Sequence, residues 1–416
     1  MAAMSRFLFG SLCAVALLSP TVRATTWIVD AAGGGNFSDI QTAILASAPG
    51  DVLLVQPGTY APFALDRGLT IIGYGACGIS GTLSISGLPA GQTCAVVRIE
   101  SATLDIQGCA GHVIVQDLQQ PTRIQVQNSP DVRFASVLMP VHSSTTPLSG
   151  LSLSNSRLEL VHSSVRGADG QDCTANYLDG AVGLAATNSR VHSARSGIHG
   201  GNGSHCDQVN YYCGGGQEGL VLDTASQGIL CGESGDPVES GYGPLNLYYG
   251  DCSHDGWSAC GISIRNASSL RISGVTAFGH PWSAGFQCIY FAGCDIGTPG
   301  GTLVQPPLVD PTLTVTGNPA GGSSVQFAID GPSGAVAVLS FGRGAIVQVD
   351  PNTVIEKLTQ ALRSVNLGAL PASGTVSFTL PLSSTLHPGA KLFAQAAVTL
   401  PGGEVRRTNS VPIIVR

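Results

Sequence analysis

The chain has 416 residues, of which only 11% are charged while 55 are glycine. That balance excludes an array of long solvated helices and favours many short strands joined by tight turns, where glycine supplies positive φ at little steric cost. A formal charge of −7 argues against a nucleic-acid surface, because counterion release rewards a basic face.

Arg6 precedes an apolar run over residues 7–18 and small-residue ground at Val22, Arg23 and Ala24, the order of a secretory signal. Residues 1–24 are therefore expected to be removed, leaving a secreted or cell-surface protein that begins near Thr25. No later stretch reaches the roughly 20 apolar residues that a transmembrane helix needs, so no membrane span is expected. Twelve cysteines, eleven after signal removal, fit an oxidising compartment. Cys206 with Cys213, Cys252 with Cys260 and Cys288 with Cys294 are close enough to be local disulfide clips. Spacing leaves the pairing of Cys77, Cys94, Cys109, Cys173 and Cys231 open, and the odd count predicts one free or intermolecular thiol. Zinc at His205, Cys206 and Cys213 is the rival reading, weakened by the lack of a CxxC pair.

In chain order, residues 27–30 read as a strand and residues 33–36 as a turn. Ser38 opens a helix with Gln41 in a capping-box pattern, and Ile40, Ala43, Ile44 and Ser47 form its narrow apolar face. Pro49, Gly50 and Asp51 end it. The unbroken run Val52, Leu53, Leu54 and Val55 predicts a strand buried on both faces, followed by a turn over residues 57–60.

The order of Gly35 to Gln41, Ala43-Ile44, Gly50-Asp51, Val55, Pro57-Gly58-Thr59-Tyr60 and Leu69 to Gly73 resembles the opening segment of the pectate-lyase-like superfamily. The resemblance implies an all-β, right-handed parallel β-helix whose short N-terminal helix caps the open end. The superfamily holds lyases, esterases, hydrolases, epimerases and proteins without catalysis. The paired Gln-Asp signature of pectin methylesterases and the Asn-Thr-Asp motif of polygalacturonases are missing here, and Ile198-His199-Gly200-Gly201 carries no role across. Three N-glycosylation sequons, at Asn36, Asn202 and Asn266, are read as chance.

Repeats are visible directly. Residues 150–170 match 183–203 at a shift of 33, and residues 123–137 match 261–275. Each match carries apolar or small residues at alternate positions and then an asparagine. Parity predicts that Asn128, Asn155, Asn188 and Asn266 point inward and stack as a ladder; the rival reading is ordinary turn residues. The same alignment places Arg157 beside Arg190, His162 beside Arg195 and Arg166 beside His199. The growing gap lies in loops at residues 166–182, 199–217 and 231–260, which should leave one side of the stack and make it the functional face.

Those loops hold Tyr177, Tyr211, Tyr212, Tyr242, Tyr248, Tyr249 and Trp257, which suit sugar C–H faces or loop packing alike. Arg157, Arg190, Arg166 and His199 would form one cationic track able to grip a uronate carboxylate. Arg166, His199, Arg195 and Asp169 are the candidate catalytic groups. Asp169, Asp172 and Asp207, joined by Asp179, Asp251 and Asp255, are oxygen donors suited to Ca²⁺, or equally turn residues. Arg157, Arg190, Tyr211, Tyr212 and Trp257 are the candidate substrate-binding groups.

Residues 25–298 thus form the expected β-helix, residues 299–311 a Pro/Gly-rich linker, and residues 312–416 a small β-sandwich. Residues 354–362 read as either a short helix or a strand. The closing stretches, Phe393-Ala394-Gln395-Ala396-Ala397 and Thr408-Asn409-Ser410-Val411-Pro412, resemble C-terminal β-domains of secreted planctomycete and myxobacterial proteins. The expected function is binding or processing of an extracellular polysaccharide, neutral or anionic, on the loop-rich face, by a polysaccharide lyase or glycoside hydrolase if the protein is an enzyme. The alternative is a non-catalytic adhesive protein with the solenoid as spacer.

Overall fold

The computed structural model describes residues 24–146, 148–171, 178–204, 216–231, 237–239, 260–273, 275, 277–278, 296–304, 311–350, 353–408 and 411–415. The expected signal, apart from Ala24, lies outside them. The protein is nearly all β: among the described residues the only helix is the seven-residue Ile40–Ala46. Its cap is Asp39, not Ser38. The Asp39 backbone is extended (φ −138°, ψ 138°), and its carboxylate accepts the Thr42 N–H at 2.9 Å, which satisfies one of the donors orphaned at a helix start. Gln41 decides the register: its Oε1 accepts the Ala64 N–H at 2.7 Å instead of returning to a Ser38 cap. Ile40, Ala43 and Ile44 are buried as expected.

After the helix the chain advances in circuits. Leu151–Ser154 lies in a ten-stranded parallel sheet, Arg157–Val161 in an eleven-stranded one and Ser164–Arg166 in a four-stranded one. The next circuit repeats this with Leu184–Thr187, Arg190–Ala194 and Gly197–His199, each pairing in parallel with its predecessor. The 33-residue repeat is therefore one circuit: Leu151 pairs with Leu184, Leu158 with Val191 and Val165 with Ile198. The expected neighbours Arg157–Arg190 and Arg166–His199 are register partners, and the His162 N–H bonds to the carbonyl of Ala194, next to Arg195, at 3.0 Å.

Left-handed residues turn the chain between sheets. Asn128, Asn155, Asn188 and Asn266 (φ 47–49°) follow strands of the ten-stranded sheet, while Ser136, His162 and Arg195 (φ 48–55°) follow strands of the eleven-stranded one. Asn tolerates this region because its short amide bonds locally. Three of the asparagines do stack, with Asn155 Nδ2 donating to Asn128 Oδ1 at 3.2 Å and Asn188 Nδ2 to Asn155 Oδ1 at 2.8 Å, whereas Asn266 Nδ2 donates to Asp223 Oδ1 at 2.6 Å. They are exposed, however, and do not point inward. Strand parity ends where φ changes sign, and the residue that turns inward is the next serine. Ser129, Ser156, Ser189, Ser226 and Ser268 are all buried. The N–H groups of Ser129, Ser156, Ser189 and Ser226 donate to the Oγ of the serine one level on, at 3.1, 3.1, 3.1 and 3.0 Å. At the second corner the N–H groups of Val137 and Ser163 find Ser163 Oγ and Ser196 Oγ at 3.0 and 3.1 Å.

The parallel sheets continue through Ile296–Gly297 and Thr302–Val304, so they extend to residue 304 and take in part of the expected linker. Beyond them, Thr312–Gly317, Ser324–Asp330 and Thr375–Pro381 form an antiparallel three-stranded sheet. Val336–Asp350, Thr353–Ala369, Lys391–Thr399, Val405–Arg407 and Val411–Ile414 form a five-stranded one. Residues 354–362 are strand, because antiparallel pairing with Val336–Asp350 satisfies their backbone. The two sheets share a core in which the Phe327 and Phe341 rings meet edge-on at 5.4 Å.

This C-terminal unit covers the outer face of the eleven-stranded sheet. Val52, Ile72, Ala95, Val97 and Ile114 form one buried cluster with Phe393 and Ile414, which explains the unbroken apolar run at residues 52–55: Leu53 and Val55 face the main core, and Val52 and Leu54 face the C-terminal unit. In the same outward row lie Arg133 and Glu159, only 3% and 4% exposed and ion-paired at 3.5 Å. The Arg133 guanidinium lies 5.5 Å from the centre of the Phe393 ring.

Cys260 is disulfide-bonded; Cys173, Cys206, Cys213, Cys252, Cys288 and Cys294 lie outside the described residues. Cys77, Cys94 and Cys109 are buried free thiols, more than the single one expected, because they point into an apolar interior. Burial pushes the Cys94 thiol up to about 12. These thiols should resist alkylation at pH 8 in the native protein and react only in denaturant, as read by mass spectrometry. Ser189→Ala removes the acceptor of the Ser156 N–H; a buried donor left unmatched costs about 1–3 kcal/mol, so the urea midpoint should fall by that equivalent while the circular dichroism spectrum stays β.

Candidate functional site

The four-stranded sheet assembles the first site. Val165, Ile198 and Val238 face the core, so the next residue in each strand faces out. The register sets Arg166 beside His199, His199 beside Glu239 and Glu239 beside Phe278, at the parallel spacing of about 4.8 Å. His199 Nδ1 is 2.7 Å from Glu239 Oε1, with 21% and 29% of the two side chains exposed. The imidazole lies back over Gly197, where a Cβ would come within 2.8 Å of Nε2; glycine is what leaves room for the ring. Arg166 Nη2 is 3.4 Å from Asp169 Oδ1, and that oxygen also accepts the Asn202 N–H at 2.7 Å. Arg166 Nε is buried and has no acceptor among the described residues.

This arrangement has a defined chemistry. A carboxylate on Nδ1 fixes the imidazole tautomer and leaves Nε2 for proton transfer. A guanidinium one strand away can hold an anionic group beside it.

Of the residues predicted from sequence, Arg166, His199 and Asp169 come together. Arg195 does not join them: it sits at the preceding corner and ion-pairs with Asp330 of the C-terminal unit. Arg157 and Arg190 are adjacent but stand at the other end of the eleven-stranded sheet's strands, so the expected single cationic track is two separate places. The second is a groove of about 590 Å³ whose lining includes His112, Asp131, Asn155, Asn188 and Gln227 besides the two arginines. His112 Nδ1 meets Asp131 Oδ2 there at 2.5 Å.

Asp172, Asp207, Asp251, Asp255, Tyr177, Tyr211, Tyr212, Tyr242, Tyr248, Tyr249 and Trp257 lie outside the described residues. Among the described residues no group of three or more His, Cys, Asp or Glu is placed to hold a metal ion, and Asp169 is engaged by Arg166 and Asn202. The long excursions do leave from one place, following Arg166, His199 and Glu239 of the four-stranded sheet. The third starts after Glu239 and not after Cys231, because Val238–Glu239 completes that circuit.

Glu239 is the member of this candidate site that sequence reading missed. Its signal is the pair Val238-Glu239, which repeats the inward–outward pattern of Val165-Arg166 and Ile198-His199. Six residues separate Cys231 from Val238, against three between Val161 and Val165 and three between Ala194 and Ile198, and that difference in spacing hides the alignment.

No known protein family and no curated protein matches the chain. A solved structure of a DUF3823 family protein from Bacteroides ovatus is similar over 34% of this chain and 73% of that one, at 14% identity and a TM-score of 0.21, a likeness too small to carry an argument about fold or function.

Gly197→Ala should leave the thermal midpoint within a few degrees, because the clash falls on a side chain that can swing. It should shift the His199 imidazole resonances in NMR by displacing the ring from Glu239.

Proposed function

We propose that the protein is a secreted, right-handed parallel β-helix with a β-sandwich-like domain docked on it, and that it binds and processes an anionic extracellular polysaccharide at the Arg166, His199 and Glu239 row. The observation that carries this reading is the row itself: a histidine held by a carboxylate, with an arginine on the neighbouring strand. Circuits that add one strand to each of several parallel sheets, and the helix before them, support the β-helix.

In this reading Arg166 holds a uronate carboxylate. His199 Nε2 takes the proton from the carbon next to that carboxylate, and Glu239 stabilises the imidazolium. The electron pair left behind forms a carbon–carbon double bond as the bond to the glycosidic oxygen breaks, and the departing oxygen takes a proton from solvent. The product is an unsaturated sugar, which absorbs in the ultraviolet.

The test is a panel of uronate and neutral polysaccharides, assayed for unsaturated ends, reducing ends and binding. It is run with and without Ca²⁺, because Asp172 and Asp207 are oxygen donors of the type that cation takes. His199→Gln should lower kcat by about 10²–10⁴-fold, the usual worth of a general base, and Glu239→Gln should lower it less, with binding retained in both. Absence of turnover and of binding on every glycan overturns the reading and leaves the spacer role.

A further inference from the structure

We propose that the groove over the asparagine corner is a second, non-catalytic site that takes a linear anionic glycan lying along the stack of circuits. It shares with the preceding reading only the class of ligand, and none of its residues.

The first argument is electrostatic. Arg157 and Arg190 are direct register partners on adjacent parallel strands, a side-by-side placement of like charges that costs stability unless an anion lies between or above them. Asp131 compensates in part at one end: although burial opposes it, the hydrogen bond from His112 and the charges of Arg133, His112 and Arg157 hold its carboxyl below the usual range. Arg190 has no ion-pair partner among the described residues, and its next neighbour along the row is Gln227.

The second argument is geometric. The groove, about 590 Å³, falls within the size range of ligand clefts. Its donors repeat with the circuits: Asn155 then Asn188, and Arg157 then Arg190 then Gln227. Each level is about 4.8 Å from the next, comparable to the length of a sugar unit, so a linear polymer along this axis meets the same groups at each step. The ladder bonds use one N–H and one lone pair of an interior amide, which leaves Asn155 a second donor and a second acceptor site for hydroxyls. Guanidinium groups select carboxylate or sulfate over neutral sugars.

Calorimetric titration of the full chain with alginate, galacturonate and sulfated tetrasaccharides, each against its neutral carboxyl-reduced or desulfated counterpart, tests the proposal. At least one anionic probe should bind, and its neutral counterpart about tenfold or more weakly, since hydrogen bonds to charged groups are worth about 1.5–3 kcal/mol. R157Q/R190Q should weaken the anionic probe by about the same factor. R190Q alone gives the same reading should the double variant fail to fold. Binding at this site should be unchanged in H199Q. Unchanged affinity in the arginine variants, equal binding of the neutral probe, or no binding of any of the three anionic probes overturns the proposal. Arginine-dependent binding without any turnover overturns the catalytic reading alone; turnover with no arginine-dependent binding overturns this site alone.

Discussion

A backbone that must bend sharply between two sheets exposes a polar N–H to the core at every bend, and the column of buried serines is what satisfies it. Ser129, Ser156, Ser189, Ser226 and Ser268 stand one level apart, and the N–H of each of the first four donates to the hydroxyl of the next. The preceding residue is left-handed, Asn128, Asn155 and Asn188 in three of the circuits, and that single change of φ aims the serine inward while the amide stays in solvent. The sheets, and so both candidate sites, inherit their alignment from this bend. Arg157 follows one such corner and Arg166 the next, which is why a residue's place in the circuit fixes the side of the molecule it serves.

Much of this was legible beforehand because a repeat in the chain is a repeat in space. The shift of 33 gave the pairs Arg157–Arg190 and Arg166–His199 correctly, since parallel register needs only equal counting. The inward asparagine failed for a reason equally physical: period-two alternation holds only while φ stays negative, and Asn155 is the position where it does not. Glu239 escaped because the spacing in sequence between Cys231 and Val238 differs from that in the two earlier circuits. The cap at Asp39 was misplaced by one residue because serine and aspartate cap comparably, and only a distant partner, Ala64, decides between them.

The covered face carries a different lesson. Val52, Ile72, Val97 and Ile114 are as apolar as any core residue, yet they point away from the core of the parallel sheets and into a cluster with Phe393 and Ile414. Further along the row of Val52 and Ile114 the side chains become Arg133, Glu159 and His192, whereas the row of Ile72 and Val97 leads to Val161, which is buried with the C-terminal core. Arg133 still lies beneath the Phe393 ring, and Arg195 ion-pairs with Asp330 of the C-terminal unit at the corner.

The grip of the last strands on the first circuits has a consequence for how the chain is made. Lys391 Nζ reaches the carbonyl of Thr93 at 3.3 Å across 298 positions of sequence. Synthesis delivers the early circuits long before their cover, so the growing polypeptide carries a bare oily wall until its closing segment emerges. Anything that delays that final stretch lengthens the time during which two nascent copies can stick together by these walls.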